Sequence, residues 1–253
     1  MNKIKAFILS YSFKLIIRLF IYLIFLIYGI YNVATIKNPI SITVVIGVTL
    51  LFLIVVIYYE YLKYLYRKAI ISLNDDCDLS EALKNYDLLQ KYDYLKGFEK
   101  ERIVFDCLIN LTTFNTDKVI KMVGENPKIF KANPDQLLLG NGLLFLAYAY
   151  GFQKSKAEKA YFEINKLKGV KKITPIYNLN VIDGIYHYMA NDYKKALQAF
   201  SKVNTTYMNN REYAEYYYFY SLLAKDLKKT ELYELNKSKL QTCASKLNFI
   251  KRI

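Results

Sequence analysis

Few positions in this chain offer catalytic chemistry. The sequence holds one His and three Cys. His187 has no second His, carboxylate or nucleophile at motif spacing, so it reads as a packed aromatic. Asp75-Asp76-Cys77-Asp78 resembles a cation loop at a glance. It lacks the spacing and the Gly of a calcium loop, and an acidic turn that caps the next helix accounts for it. Cys77, Cys107 and Cys243 lie far apart, show no zinc-ligand spacing and fit a reducing compartment. There is no phosphate-binding Gly loop, no nucleophile elbow and no paired-His zinc motif. The expectation is a non-enzymatic chain with no cofactor and no metal.

Tyr is the abundant chemistry-bearing residue, with 26 in 253. Five consecutive aromatics, Tyr216-Tyr217-Tyr218-Phe219-Tyr220, fall in one helical stretch. A helix that is aromatic all round cannot hide every ring in one narrow stripe. Some of these rings are therefore expected to face a groove, where Tyr supplies area and a polar tip to a partner. The alternative is a Tyr-rich core.

These residues need elements to position them, and the chain divides sharply. No acidic residue precedes Glu60, while Lys3, Lys5, Lys14, Arg18 and Lys37 do. Leu19–Ile36 and Asn38–Tyr59 carry no charge, and each approaches the ~20 residues that cross a bilayer core. Pro39 suits the first turn of the second helix. Residues 1–60 are read as a membrane anchor with spans at about 15–36 and 39–59. Lys and Arg gather before the first span and after the second, which predicts both termini in the cytoplasm. Thr43 and Gly47 form a small-xxx-small pair suited to helix packing.

From Tyr61 onward the hydrophobic period is helical, and no stretch alternates as a strand would. Helices are expected near 95–113, 116–124, 135–152, 155–168, 177–190, 192–203, 211–225 and 228–247. Second helices of successive pairs begin near 79, 116, 155, 192 and 228, a nearly constant step within the range of repeat arrays.

One unit is sharp. Gly184 is followed by Tyr188, a turn at Asn191-Asp192-Tyr193, then Ala196 and Phe200. This pattern resembles the tetratricopeptide repeat. The resemblance implies that Gly184 and Ala196 let two helices cross closely while Phe200 fills the groove to the next pair. Weaker versions pair Ala160 with Tyr148 and Ile164, and Ala82 with Ile70 and Tyr86. The expected fold is all-α: an N-terminal transmembrane hairpin, then a tetratricopeptide-like α-solenoid of about five helix pairs over residues 61–253. In such arrays the first helix of each pair lines the concave, partner-binding face, so the resemblance implies Tyr186, Tyr188, Tyr217 and Tyr220 as groove residues.

The net charge of +14 adds an electrostatic preference for acidic partners. Lys154/Lys156/Lys159, Lys166/Lys168/Lys171/Lys172 and Lys225/Lys228/Lys229 form small basic groups. They suit solvated helix ends, an acidic protein partner or anionic lipid. They follow no nucleic-acid motif, so nucleic acid is not the expected partner. Three functions are consistent with these features. The first is an anchored adaptor for a protein or peptide. The second is an accessory subunit that binds through Thr43 and Gly47 in the membrane. The third is an enzyme of unrecognised type.

Overall fold

A computed structural model describes residues 11–168, 177–206, 208–247, 249 and 252, with side chains from residue 16. Its regular elements are all helical: α1 Tyr11–Thr35, α2 Pro39–Asn74, α3 Leu79–Tyr92, α4 Glu99–Thr112, α5 Thr116–Glu125, α6 Pro127–Phe130, α7 Pro134–Tyr150, α8 Lys154–Leu167, α9 Leu179–Met189, α10 Tyr193–Ser201, α11 Asn210–Asp226 and α12 Thr230–Ala244. Two compact units divide between Tyr64 and Leu65, a few residues beyond the expected boundary and inside α2.

The first unit is a helical hairpin. Asn38 caps α2, its Oδ1 accepting from the Ile40 amide at 2.9 Å. Residues 16–35 of α1 have mean hydropathy 2.0 and α2 reaches 3.1, and almost none of the residues in these windows is buried. Both helices are long and apolar enough to cross a membrane. Their contact is aromatic and close. The Phe25 and Phe52 rings lie 4.0 Å apart. A Cβ at Gly29 would sit 2.9 Å from Thr49 Oγ1. At the charged end, Arg18 Nε meets Glu60 at 3.3 Å, and the Tyr22 hydroxyl donates to Glu60 at 3.2 Å. Arg18 thus ends on a carboxylate.

In the second unit, α4 packs on α5, α7 on α8, α9 on α10 and α11 on α12, and neighbouring pairs touch. Second helices begin at residues 79, 116, 154, 193 and 230, steps of 37, 38, 39 and 37. The backbone repeats with them. Phe114, Phe152, Asn191 and Lys228 have φ between 51° and 64°, each two residues before a second helix. Each lies between the same two hydrogen bonds. For Phe152, its own amide donates to Ala149 O at 3.1 Å and the next amide, of Gln153, to Tyr148 O at 2.8 Å. This is the Schellman end, which satisfies the last carbonyls of a helix through one left-handed residue. Cys77, at φ 50°, makes a looser version before α3. Three residues into the second helices stand Ala82, Val119, Ala157 and Ala196, all at most 1% exposed. This turn-based register matches Ala157 to Ala196 and moves the third unit's small residue back from the expected Ala160.

Only Asn191 is a residue type that tolerates the left-handed region well. Exposed Lys228, at φ 56°, carries a cost of about 1–2 kcal/mol there, while Gly would add about 0.5–1 kcal/mol of chain entropy to lose. Lys228→Gly is therefore expected to stabilise the chain by about 0.5–1 kcal/mol, read as a higher thermal midpoint in detergent micelles.

The pairs do not touch only their neighbours. Phe114, Tyr150, Tyr218 and Phe249 form one cluster with ring centroids 4.9–6.0 Å apart. Tyr150 also stacks on Phe219 at 5.4 Å. This core joins α7 and α11 to the turn before α5 and to the C-terminal segment. The two ends of the unit also meet. Asn210 Nδ2 donates to Asp75 O at 2.5 Å, Arg211 Nε to Asn74 Oδ1 at 2.8 Å, and Lys246 Nζ to Asp78 Oδ2 at 2.6 Å. An open solenoid, in which each pair contacts only the next, would have none of these contacts.

Candidate functional site

Gly184, Ala196 and Phe200 sit together in the α9–α10 pair. Ala196 and Phe200 are wholly buried. A Cβ at Gly184 would lie 2.5 Å from Phe200 Cδ1 and Cε1, so the absent side chain makes room for the ring. Phe200 also reaches the next pair, 5.2 Å from Tyr220 and 5.8 Å from Tyr216.

The four tyrosines expected in a shared groove point to different neighbours. Tyr186 stacks on Tyr161 at 3.9 Å and donates to Glu158 at 3.2 Å. Tyr188 is buried, and its hydroxyl donates to Asp226 at 3.0 Å. Tyr217 packs beside Tyr213 and under Lys239. Tyr220 stacks on Phe200. Within the aromatic run, Tyr216, Tyr218 and Phe219 fill the core, while Tyr217 and Tyr220 are half-buried. Helix-to-helix packing thus occupies most of this aromatic surface.

In the hairpin, Gly47 is exposed and a Cβ there would meet nothing within 4 Å; Thr43 is exposed too. The close approach between the two helices is made by Gly29 and Thr49 instead.

An open concavity lies on a different pair, as a groove along α7 and α8. Leu144 and Tyr148 are one turn apart on α7. Lys156, Lys159 and Ala160 share a face of α8, with Phe162 and Lys166 beside them. Ala160 is 6% exposed and forms floor, whereas Phe162 is 50% exposed. Lys156 Nζ lies 5.7 Å from the Tyr148 ring centroid, a cation–π placement that holds the charge at the rim. Glu163 is neutralised within the groove by Lys166 at 2.5 Å. Among the described residues no carboxylate comes within ion-pair distance of Lys156 or Lys159. The basic groups in the sequence flagged these lysines; only the three-dimensional pairing of α7 with α8 places them beside Tyr148 and Phe162. Lys168, from the same stretch, is tied to Asp183 at 2.9 Å, and Lys171 and Lys172 lie outside the described residues.

A second polar cluster is buried. Arg211 and Glu215, one turn apart in α11, are each 4% exposed and paired with each other. Glu215 and Glu212 border a narrow cleft with Tyr177, Asn178 and Met208. Burial pushes the Glu215 carboxyl up to about 7 against the opposing pull of Arg211. The sequence carried a signal for this pair. A cation in the first turn of a helix opposes the helix dipole, and Arg211 stands there because Asn74 and Glu215 receive it.

The other reactive groups are subdued. Burial raises the thiols of Cys77 and Cys107 to about 12 and that of Cys243 to about 11. Asp78 caps α3, accepting from the Glu81 amide at 3.1 Å, and Lys246 with that amide lowers its carboxyl to about 2. Among the described residues no group of three or more His, Cys, Asp and Glu is placed to hold a metal ion. No protein-family model, curated protein or solved structure matches the chain.

Proposed function

We propose that this chain is a membrane-anchored, non-enzymatic adaptor whose helical unit binds a protein or peptide partner. The observation that carries the reading is the pairing, in one chain, of two outward-facing apolar helices with a separate helical unit bearing an open lysine–aromatic groove. Anchoring concentrates such a groove near membrane partners, so modest intrinsic affinity suffices. The recurring turn and the Gly184–Ala196–Phe200 packing support a tetratricopeptide-like origin for the helix pairs, with the ends of the set brought together. The surplus of Lys and Arg beside the spans supports cytoplasmic termini.

A photo-crosslinking residue at Phe162 in the full tagged chain, in native membranes, tests the adaptor reading. A discrete protein captured from Phe162 supports it. Capture only from hairpin positions, or none at all, overturns it.

The open face at Gly47 favours a second reading, in which the chain docks on another membrane protein through its spans. Gly47→Leu is then expected to abolish co-purification of that partner while leaving the hairpin intact, since nothing within 4 Å opposes the new side chain. Gly29→Leu, opposite Thr49, is expected to open the hairpin itself, seen as loss of a disulfide between Cys pairs engineered across α1 and α2. Unchanged co-purification with Gly47→Leu would count against this reading.

A further inference from the structure

We infer that the α7–α8 groove takes an acidic peptide segment of a protein partner, with an apolar or aromatic anchor on the groove floor. The inference rests on the adaptor reading and gives its ligand a chemistry. Three observations lead to it. Lys156 and Lys159 stand on the rim with no carboxylate in ion-pair reach among the described residues, while Glu163 and Asp183 nearby are paired with Lys166 and Lys168, and Glu158 accepts from the neutral Tyr186 hydroxyl and keeps its charge. Two unpaired cations against one carboxylate leave a local positive excess. Leu144, Ala160 and half-exposed Phe162 contribute apolar surface to the same lining as the cations. Tyr148 holds the Lys156 ammonium over its ring, so this rim charge is placed before a ligand arrives.

The groove is open to solvent and sets the lysine heads beside the half-exposed Phe162 ring. A peptide with carboxylates and apolar side chains can meet both. The occupant that satisfies both features alternates carboxylates with bulky apolar residues.

The test uses the full chain in neutral detergent micelles. The probe is a fluorescent twelve-residue peptide of alternating Glu and Phe, with a Gln-for-Glu version and an Ala-for-Phe version. Anisotropy is read at low and high salt. An exposed ion pair is worth up to about fivefold in affinity. Lys156→Ala/Lys159→Ala is expected to weaken the acidic peptide about tenfold, and Lys156→Arg/Lys159→Arg to retain it. Phe162→Ala, the Gln version and the Ala version should each weaken it as well. Lys118→Ala/Lys128→Ala, two exposed lysines elsewhere, should leave it unchanged.

Equal binding by the Gln version, or no loss in Lys156→Ala/Lys159→Ala, would overturn the proposal. So would anionic nanodiscs or a single-stranded oligonucleotide showing the lysine-dependent loss while the peptide does not. Absence of peptide binding alongside a discrete partner crosslinked from Phe162 would reject the acidic ligand but keep the adaptor. Absence of any partner at Phe162 would reject the adaptor itself.

Discussion

Arg211→Met is expected to destabilise the chain by about 3–5 kcal/mol, the cost of leaving a buried charge without its partner. Arg211 joins Glu215 one turn along α11 and Asn74 at the end of α2, so the substitution leaves a buried carboxyl group and an amide oxygen without their shared donor. Glu215→Leu added to Arg211→Met should recover most of the loss, because two apolar side chains in place of a buried ion pair are often neutral or better. Urea unfolding in micelles, followed by tyrosine fluorescence, measures both. A single variant as stable as the parent would show that the pair contributes little.

The same pair sets a pH dependence. Burial holds the Glu215 carboxyl at about 7 in the folded chain against an ordinary 4.5. Between those values the folded chain keeps a proton that the unfolded chain releases. Stability therefore falls as pH rises from 4.5 to 7 and levels off above, by up to about 3 kcal/mol. Glu215→Gln should flatten that window. A curve that rises with pH there, and is unchanged by Glu215→Gln, would contradict the assignment.

The second large effect is expected at Gly184. Phe200 is fully buried and its ring edge lies 2.5 Å from where a Cβ would stand. Overpacking a close-packed core costs about 1–3 kcal/mol. Replacing Gly with Ala in a helix interior returns about 1 kcal/mol. Gly184→Ala should thus lose up to about 2 kcal/mol net, and Gly184→Leu should reach the upper limit of the overpacking range or exceed it. Phe200→Leu trims the opposing ring, so Gly184→Ala/Phe200→Leu should lose less than the two single changes added together. Strict additivity in urea midpoints would mean the two positions do not touch.

Much of the architecture was legible because it is written in period. Uncharged runs marked the two apolar helices, and the 3.6 spacing with polar breaks located the later helices to within a few residues. Gly184, Ala196 and Phe200 were legible because close packing restricts residue type. The repeated turn was not. A left-handed residue is normally flagged by Gly, and here Phe114, Phe152 and Lys228 occupy it. Those side chains read as core or surface, and the helix ends had to be inferred from polarity. The fate of the Tyr run was hidden for another reason. Whether Tyr218 faces a groove or the interior depends on Phe114 and Phe249, far away in sequence. The short helix Pro127–Phe130 was missed because four residues show no period. The lysine–aromatic groove was half visible: its cations were evident, but its aromatic neighbours come from a second helix.

The meeting of Asn74, Asp75 and Asp78 with Asn210, Arg211 and Lys246 has a consequence for how this unit can change over time. Open arrays gain or lose repeats at their ends, because a terminal pair has one free side. Here the first and last elements hold each other. A duplicated pair would push Asp78 away from Lys246 and draw Arg211 off Asn74, and a deleted pair would leave the Phe249 ring without its Phe114 and Tyr150 walls. The number of helix pairs is thereby tied to the contacts between the two ends.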